Sequence, residues 1–197
     1  MPRISTDRRS RVRRAIIDAA ADCFARKGFA ATSMPEICAA ANMSVGGIYR
    51  HFASREDLIN AVFEAIRAPV VAALDEAAQG PDVLDTAEVI DLVHNTLIQS
   101  APGSAPRLIV GQFWAELLRD PTHPGPHQPL ATALHAALTR LVARANPDAP
   151  EPERLAVALI AAGMGVFLTQ SIVDAKASTR ELIDAMSVLL RHGPTLT

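Results

Sequence analysis

An all-α fold of about nine helices is what this sequence predicts, on three observations. Aromatic residues make up only 4% of the chain, alanine is abundant, and Val, Ile and Thr show few strand-like alternations. Apolar residues recur instead at three- and four-residue intervals. Capping boxes, glycines and prolines punctuate these stretches where helices should begin and end. With 197 residues, 49% of them hydrophobic, the chain can build one globular unit or two small ones with a substantial core.

Val12, Ile16, Ala19, Ala20, Cys23 and Phe24 make one apolar stripe, with Arg11, Arg13, Arg14, Asp18 and Asp22 off it. The first helix is therefore expected over roughly residues 7 to 27, stopped by Gly28 with Phe29 as the accompanying apolar contact. Ser33 and Glu36 form a capping box with Pro35 in the first turn, and Ile37, Cys38 and Ala41 continue one face of a second helix. Asn42 tolerates a left-handed turn, Ser44 caps again, and Ile48 with Phe52 is an i, i+4 apolar pair. The pattern is helix, short turn, helix. Ser54-Arg55-Glu56-Asp57 opens a fourth helix carrying Leu58, Ile59, Val62, Phe63, Ile66 and Val70, with a kink or restart expected at Pro69.

Further helices are expected at about 83–100, 106–119, 128–145 and 151–176, separated by Pro102-Gly103, the proline-rich stretch 121–129, and Pro147, Pro150 and Pro152. The last begins at the Ser178-x-x-Glu181 box and ends at Arg191-His192-Gly193-Pro194. Leu155 to Val173 holds nineteen residues without a charge. Its strictly apolar part ends at Leu168, too short for a membrane span, and it is expected to be a buried core helix.

The net charge of -2 conceals an asymmetry. Residues 1–60 hold ten Arg or Lys and six acids, a balance of +4, and the remainder stands at -6. The N-terminal end suits a polyanion; the rest does not. Cys23 and Cys38 lie in apolar patterns without metal-ligand spacing and are expected as buried, reduced thiols of a cytoplasmic protein. The N-terminus lacks the apolar core of a signal peptide.

Thr32 to Phe52, TSMPEICAAANMSVGGIYRHF, preceded by Phe24, Gly28 and Phe29 and followed by Ser54-Arg55-Glu56-Asp57-Leu58, resembles the DNA-binding domain of the TetR family of bacterial transcriptional regulators. The stretch GQFWAELLRDP, Gly111 to Pro121, looks like the regulatory half of some members. The resemblance implies a basic arm over 1–9, a helix-turn-helix head over 10–70 with its recognition helix at about 44–51, and a ligand-binding and dimerisation body over 71–197. It implies a double-stranded DNA operator, a small-molecule effector and a homodimer, with no cofactor and no membrane. Carried over by position, Thr32, Ser44, Val45, Gly46, Gly47, Tyr49, Arg50, His51 and Arg55 are the DNA-contact candidates. The chain departs from the family at Asn42, usually glycine, and at Val45, often a long polar residue.

The same residues have physical readings of their own. Arg50 can reach a guanine edge or a phosphate, and Tyr49 and His51 can donate to backbone oxygens. Val45 either packs on a thymine methyl or joins Ile48 and Phe52 on the buried face; Tyr49 either meets DNA or is a core ring; His51 either meets DNA or caps a turn. Arg55 in the first turn of its helix opposes the helix dipole, which a DNA phosphate would explain and a solvated side chain would tolerate. Arg8, Arg9, Arg11 and Arg13 either follow the DNA backbone or are simply solvated. Gly46 and Gly47 each cost roughly 1 kcal/mol in a helix interior. Together they are expected to thin the recognition helix so that it approaches the groove.

In the body, Ala158, Ala161, Ala162 and Gly165 permit close helix approach. With Leu182, Met186 and Leu189 of the last helix they are expected to form a two-fold interface. Phe63, Phe113, Trp114, His135, Met164, Phe167 and Gln170 are the candidates for an apolar effector pocket, each also explicable as ordinary core. Two other functions compete. One is a DNA-binding protein that senses nothing. The other is a helical metal-dependent enzyme, for which Asp91 and His94 are spaced on one helix, while His123 and His127 lie among prolines. No phosphate loop, zinc-protease motif or nucleophile elbow is present, so no enzymatic activity is expected.

Overall fold

Helices account for every regular element among the residues described by the computed structural model, which are 3–119, 128–148, 150–173 and 176–192. In order they are α1 (Arg3–Lys27), α2 (Met34–Ala40), α3 (Val45–Tyr49), α4 (Arg55–Gln79), α5 (Thr86–Ser100), α6 (Pro106–Arg119), α7 (Gln128–Ala145), α8 (Pro152–Leu168) and α9 (Thr179–His192), with a π-helical turn, Thr169–Val173, continuing α8. The expected all-α class is what forms. Residues 121–127 of the proline-rich stretch, His123 and His127 among them, lie outside the described residues.

Local chemistry sets most boundaries. Gly28 takes φ +80° and its N–H reaches Phe24 O at 2.7 Å, closing α1. Glu36 Oε2 accepts from Ser33 N at 2.9 Å and from Ser33 Oγ at 2.8 Å, and the Ser178–Glu181 pair repeats the motif at α9. Asp57 Oδ2 accepts from Ala53 N at 3.0 Å while Ser54 Oγ accepts from Asp57 N at 3.0 Å, opening α4. α5 starts three residues later than the sequence suggests. Asp85 and Glu88 cap each other's backbone N–H groups, at 2.9 and 2.7 Å, a box legible in the sequence but missed there. α1 starts earlier than expected, so the basic segment before residue 10 is helical from Arg3 onward. α4 runs through Pro69 as one 25-residue helix; the expected restart does not occur.

The chain forms two compact units, Met1–Pro69 with Leu97–Ala131, and Val70–Thr96 with Thr132–Thr197. In the first, aromatic rings form a ladder: Phe24 to Phe29 (4.7 Å between centroids), Phe29 to Phe63 (5.0 Å), Phe63 to Phe113 (5.4 Å) and Phe113 to Trp114 (5.1 Å). Ile16, Ile37, Ile48, Phe52, Leu58 and Val62 pack beside it, all fully buried. Cys23 and Cys38 are buried free thiols, and desolvation raises the pKa of Cys23.

The α5–α6 loop is pinned to α1 in the same unit. Gly103 N donates to Asp18 Oδ1 at 3.2 Å, and Ser104 N and Oγ donate to Asp22 Oδ1 at 2.6 and 2.9 Å. Gly103 has φ +86°, and a Cβ there would stand 2.7 Å from Asp22 Oδ1 and 3.2 Å from both Ala21 Cβ and Asp18 O. Gly103→Ala is therefore expected to destabilise the protein by about 1–3 kcal/mol, from left-handed strain plus a lost latch. Urea unfolding checks this; an unchanged midpoint would show that the loop relaxes freely.

In the second unit, Arg144 donates to Ala77 O at 2.7 Å and to Gly80 O, placing a cation at the C-terminal end of α4. Arg140 pairs with Asp75 at 2.6 Å and Arg180 with Asp85 at 2.8 Å. α8 departs from expectation. Together with its π-helical turn, as Pro152–Val173, it is long and apolar enough to cross a membrane, with a mean hydropathy of 2.0, yet only 22% of that window is buried within the chain. The expected core helix is instead an apolar helix with an open side.

Candidate nucleic-acid interface

Residues 33–52 fold as the sequence pattern requires. Asn42 takes φ 50°, Met43 N reaches back to Cys38 O at 3.0 Å and Asn42 N to Ala39 O at 3.2 Å. These are the paired bonds of a Schellman stop, here with Asn in the left-handed position that favours glycine. Ser44 Oγ then accepts from Gly47 N at 3.1 Å, and α3 begins. Ile48, fully buried, and Phe52, 1% exposed, fasten its back.

The open alternatives at Val45 and Tyr49 resolve in one direction. Val45 is 47% exposed and Tyr49 43%, so neither belongs to the core. Gly46 and Arg50 are exposed beside them. Arg13 is not solvated: its Nη1 donates to His51 O at 2.6 Å and its guanidinium sits 4.1 Å from the Phe52 ring centroid, clamping the end of α3 to α1. Arg8, Arg9 and Arg11 are exposed. His51 is half-buried, and its Nδ1 is buried without a hydrogen-bond partner.

Three of the candidates have chemistry directed inward. Thr32 is 3% exposed, with its hydroxyl 2.8 Å from Gly28 O and 3.3 Å from Cys23 O. Arg55 Nη2 donates to Phe29 O and, at 3.1 Å, to Thr32 O, so the guanidinium ties down the loop before α2. Gly47 is buried, and a Cβ on it would lie 3.2 Å from Ser44 Oγ and 3.3 Å from Met43 Cε. Only Gly46 meets open space. The close-approach role expected of both glycines is thus available to one.

Lys27 and Ser33 hold the carboxylate of Glu36, bringing its pKa down to about 2, with the Lys27 hydrogen bond the largest cause. A depressed carboxylate pKa contributes stability that is present above the unfolded value of about 4.5 and is lost as pH falls towards 2. Glu36→Gln should therefore melt below the parent at pH 6 and approach it as the pH falls through that window. Melting curves of both proteins at each pH check this, and a gap independent of pH would assign Glu36 no ionic role.

The seven effector candidates do not form one cluster within either unit. Phe63, Phe113 and Trp114 belong to the first unit, and His135, Met164, Phe167 and Gln170 to the second. Phe63 and Phe113 are buried ladder rings, and Trp114 Nε1 is buried without a partner. His135 Nε2 lies 3.1 Å from Glu153 O, Gln170 Nε2 donates to Ala177 O at 2.9 Å, and Phe167 packs near His94 at 6.1 Å between ring centroids. None of the seven lines the cavity of about 410 Å³ found within the second unit between α5, α7, α8 and α9. Leu141, Leu155, Leu159 and Ile183 supply its apolar wall, with Asn146 and Ser187 among the few polar groups. Sequence reasoning missed it because its lining comes from four helices distant in the chain.

Of the six interface candidates, Ala158 and Gly165 are exposed, Met186 is 40% exposed, and Ala162 and Leu182 are half-buried; the side chain of Leu189 lies outside the described residues. Ala158, Ala162 and Met186 also line the cavity. The open side of α8 and its π-helical turn is a regular stripe, Arg154, Ala158, Ala161, Gly165, Leu168 and Ile172, every member exposed. Spacings of four and three alternate along it, as on a helix that packs against another.

Comparison with known proteins places this geometry. Residues 16–62 match the model of bacterial regulatory proteins of the tetR family. That stretch carries the TetR-family signature. It is 29% identical over 141 residues to the HTH-type transcriptional regulator UidR of Escherichia coli strain K12, a match covering 69% of this chain and 65% of that protein. The aligned part thus spans just under two thirds of the length of that curated relative. Among solved structures, Salmonella enterica GusR superposes with a TM-score of 0.66 at 26% identity, over 91% of this chain and 95% of GusR. A putative fatty acid metabolism regulator of Clostridium perfringens shares the fold alone, with a TM-score of 0.72 at 18% identity, over 93% of this chain and all of that one. The TetR-family match includes all of α2, α3 and the turn between them.

Proposed function

We propose that this TetR-family chain is a ligand-responsive transcriptional repressor of the cytoplasm that binds a palindromic operator as a homodimer and is released by a small, mostly apolar effector. One observation carries the reading: α3 holds Ile48 fully buried while leaving Val45, Gly46, Tyr49 and Arg50 outward, on the basic end of the chain. A five-residue helix that exposes two large apolar side chains beside an arginine is built to be covered by another surface. A major groove supplies base edges for it and phosphates for the surrounding cations. Ser44, Val45, Gly46, Tyr49, Arg50 and His51 are the contacts proposed, while Arg55 and Thr32 position the loop that leads into α2.

The second copy is proposed to cover the open stripe of α8, where small residues allow two helices to approach closely, and α9 beside it. Two heads so joined meet half-sites about 34 Å apart. The 410 Å³ cavity is the proposed effector site, being mostly apolar with few polar groups. An effector that binds there with different affinity in the free and DNA-bound states shifts operator affinity by the same factor by which DNA shifts its own binding.

A footprint of the purified protein on DNA flanking its own gene, repeated over a salt series, tests the reading. A protected inverted repeat whose affinity falls steeply with salt is expected. Absent or salt-insensitive protection would sink it. If protection is found but no apolar compound in a broad panel shifts it, the protein is a constitutive DNA-binding protein instead.

A further inference from the structure

The outward face of α3 limits what it can recognise. With about 100° between successive helical residues, Val45, Tyr49, Gly46 and Arg50 follow one another across an arc of about 140°, and the buried Gly47 and Ile48 fill the opposite side. Two of the four outward residues carry hydrogen-bonding groups, and two carry none. Ser44, next to them, already accepts the Gly47 N–H as the helix cap. Val45 therefore has only apolar contact to offer, and it offers it from a 47% exposed position with no core role.

In the major groove each base pair displays donors and acceptors, but its one apolar feature is the C5-methyl of thymine. A valine laid against a purine N7, a guanine O6 or a cytosine N4 removes water and returns no hydrogen bond, which is costly. Against thymine it buries a methyl group instead. Gly46 makes the approach feasible, since a Cβ at that position would meet nothing within 4 Å and its absence leaves bare backbone towards the groove. Resting on the DNA-binding reading above, we propose that Val45 specifies a thymine in each operator half-site through its C5-methyl, that Gly46 lets the helix seat deeply enough for that contact, and that Arg50 supplies the polar contact alongside.

The test uses the full chain and a random double-stranded DNA pool. The tightest selected duplex is resynthesised with deoxyuridine replacing thymine, one position at a time, which deletes the methyl and leaves base pairing unchanged. A loss of about 4-fold is expected at one position in each half-site, the effect of one buried methyl-sized group. Val45→Ser, whose exposed position spares the core and whose hydroxyl stays hydrated, should bind the thymine and deoxyuridine duplexes alike at that position, with its helical circular dichroism unchanged. Full affinity for every deoxyuridine duplex, or methyl dependence that persists in Val45→Ser, would overturn the inference while leaving DNA binding intact. A pool in which nothing is enriched would overturn the DNA-binding reading and this inference with it.

Discussion

Gly165→Glu is expected to turn the proposed dimer into a monomer and to weaken its operator binding by 100-fold or more. Gly165 lies in the middle of the exposed α8 stripe, and a Cβ there meets nothing within 4 Å. The substitution is thus neutral for the isolated chain, and its cost falls on whatever covers the stripe. Two carboxylates brought together across a two-fold axis, in a patch made of Ala158, Ala161 and Leu168, lose water without gaining a partner. In the proposed dimer the two heads bind linked half-sites, so separating them forfeits an avidity of about 10²–10⁴. Sedimentation and the footprint should change together, while far-ultraviolet circular dichroism should not. A variant that remains dimeric would show that the copies meet elsewhere.

The α8 helix also shows where sequence reading stops. The nineteen uncharged residues from Leu155 to Val173 demand cover, but periodicity cannot say whether that cover comes from the same chain. Burial within the chain leaves the stripe bare, so the same apolar pattern fits either a core or the proposed interface. The head was far more legible, because its determinants are local. A capping box, a left-handed Asn42 and a Ser44 cap each depend on residues within three or four positions, and all formed as the spacing required. What spacing could not supply was the inward use of Arg55 and Arg13, whose carbonyl partners lie 23 to 38 residues away. The cavity between α5, α7, α8 and α9 was illegible for the same reason.

Gly46→Leu and Gly47→Leu, adjacent and chemically identical substitutions, are expected to fail in different ways. Gly47 is buried, and any side chain there presses on Ser44 Oγ at 3.2 Å and Met43 Cε at 3.3 Å. Overpacking of that kind costs about 1–3 kcal/mol, and disturbing the Ser44 cap about 1 kcal/mol more. Gly47→Leu should thus lower the unfolding midpoint and lose DNA affinity mainly through a disordered α3. Gly46 faces open space, so a leucine there should leave the midpoint unchanged or slightly raised, since glycine is a poor helix former. Its branched side chain projects where the groove floor must come, holding the helix off the bases and removing sequence discrimination while phosphate attraction persists. Melting curves and binding to specific and scrambled duplexes separate the two effects. Full operator affinity in Gly46→Leu would mean that α3 never approaches DNA by its bare backbone; both glycines would then serve only the turn and cap that Gly47 already serves.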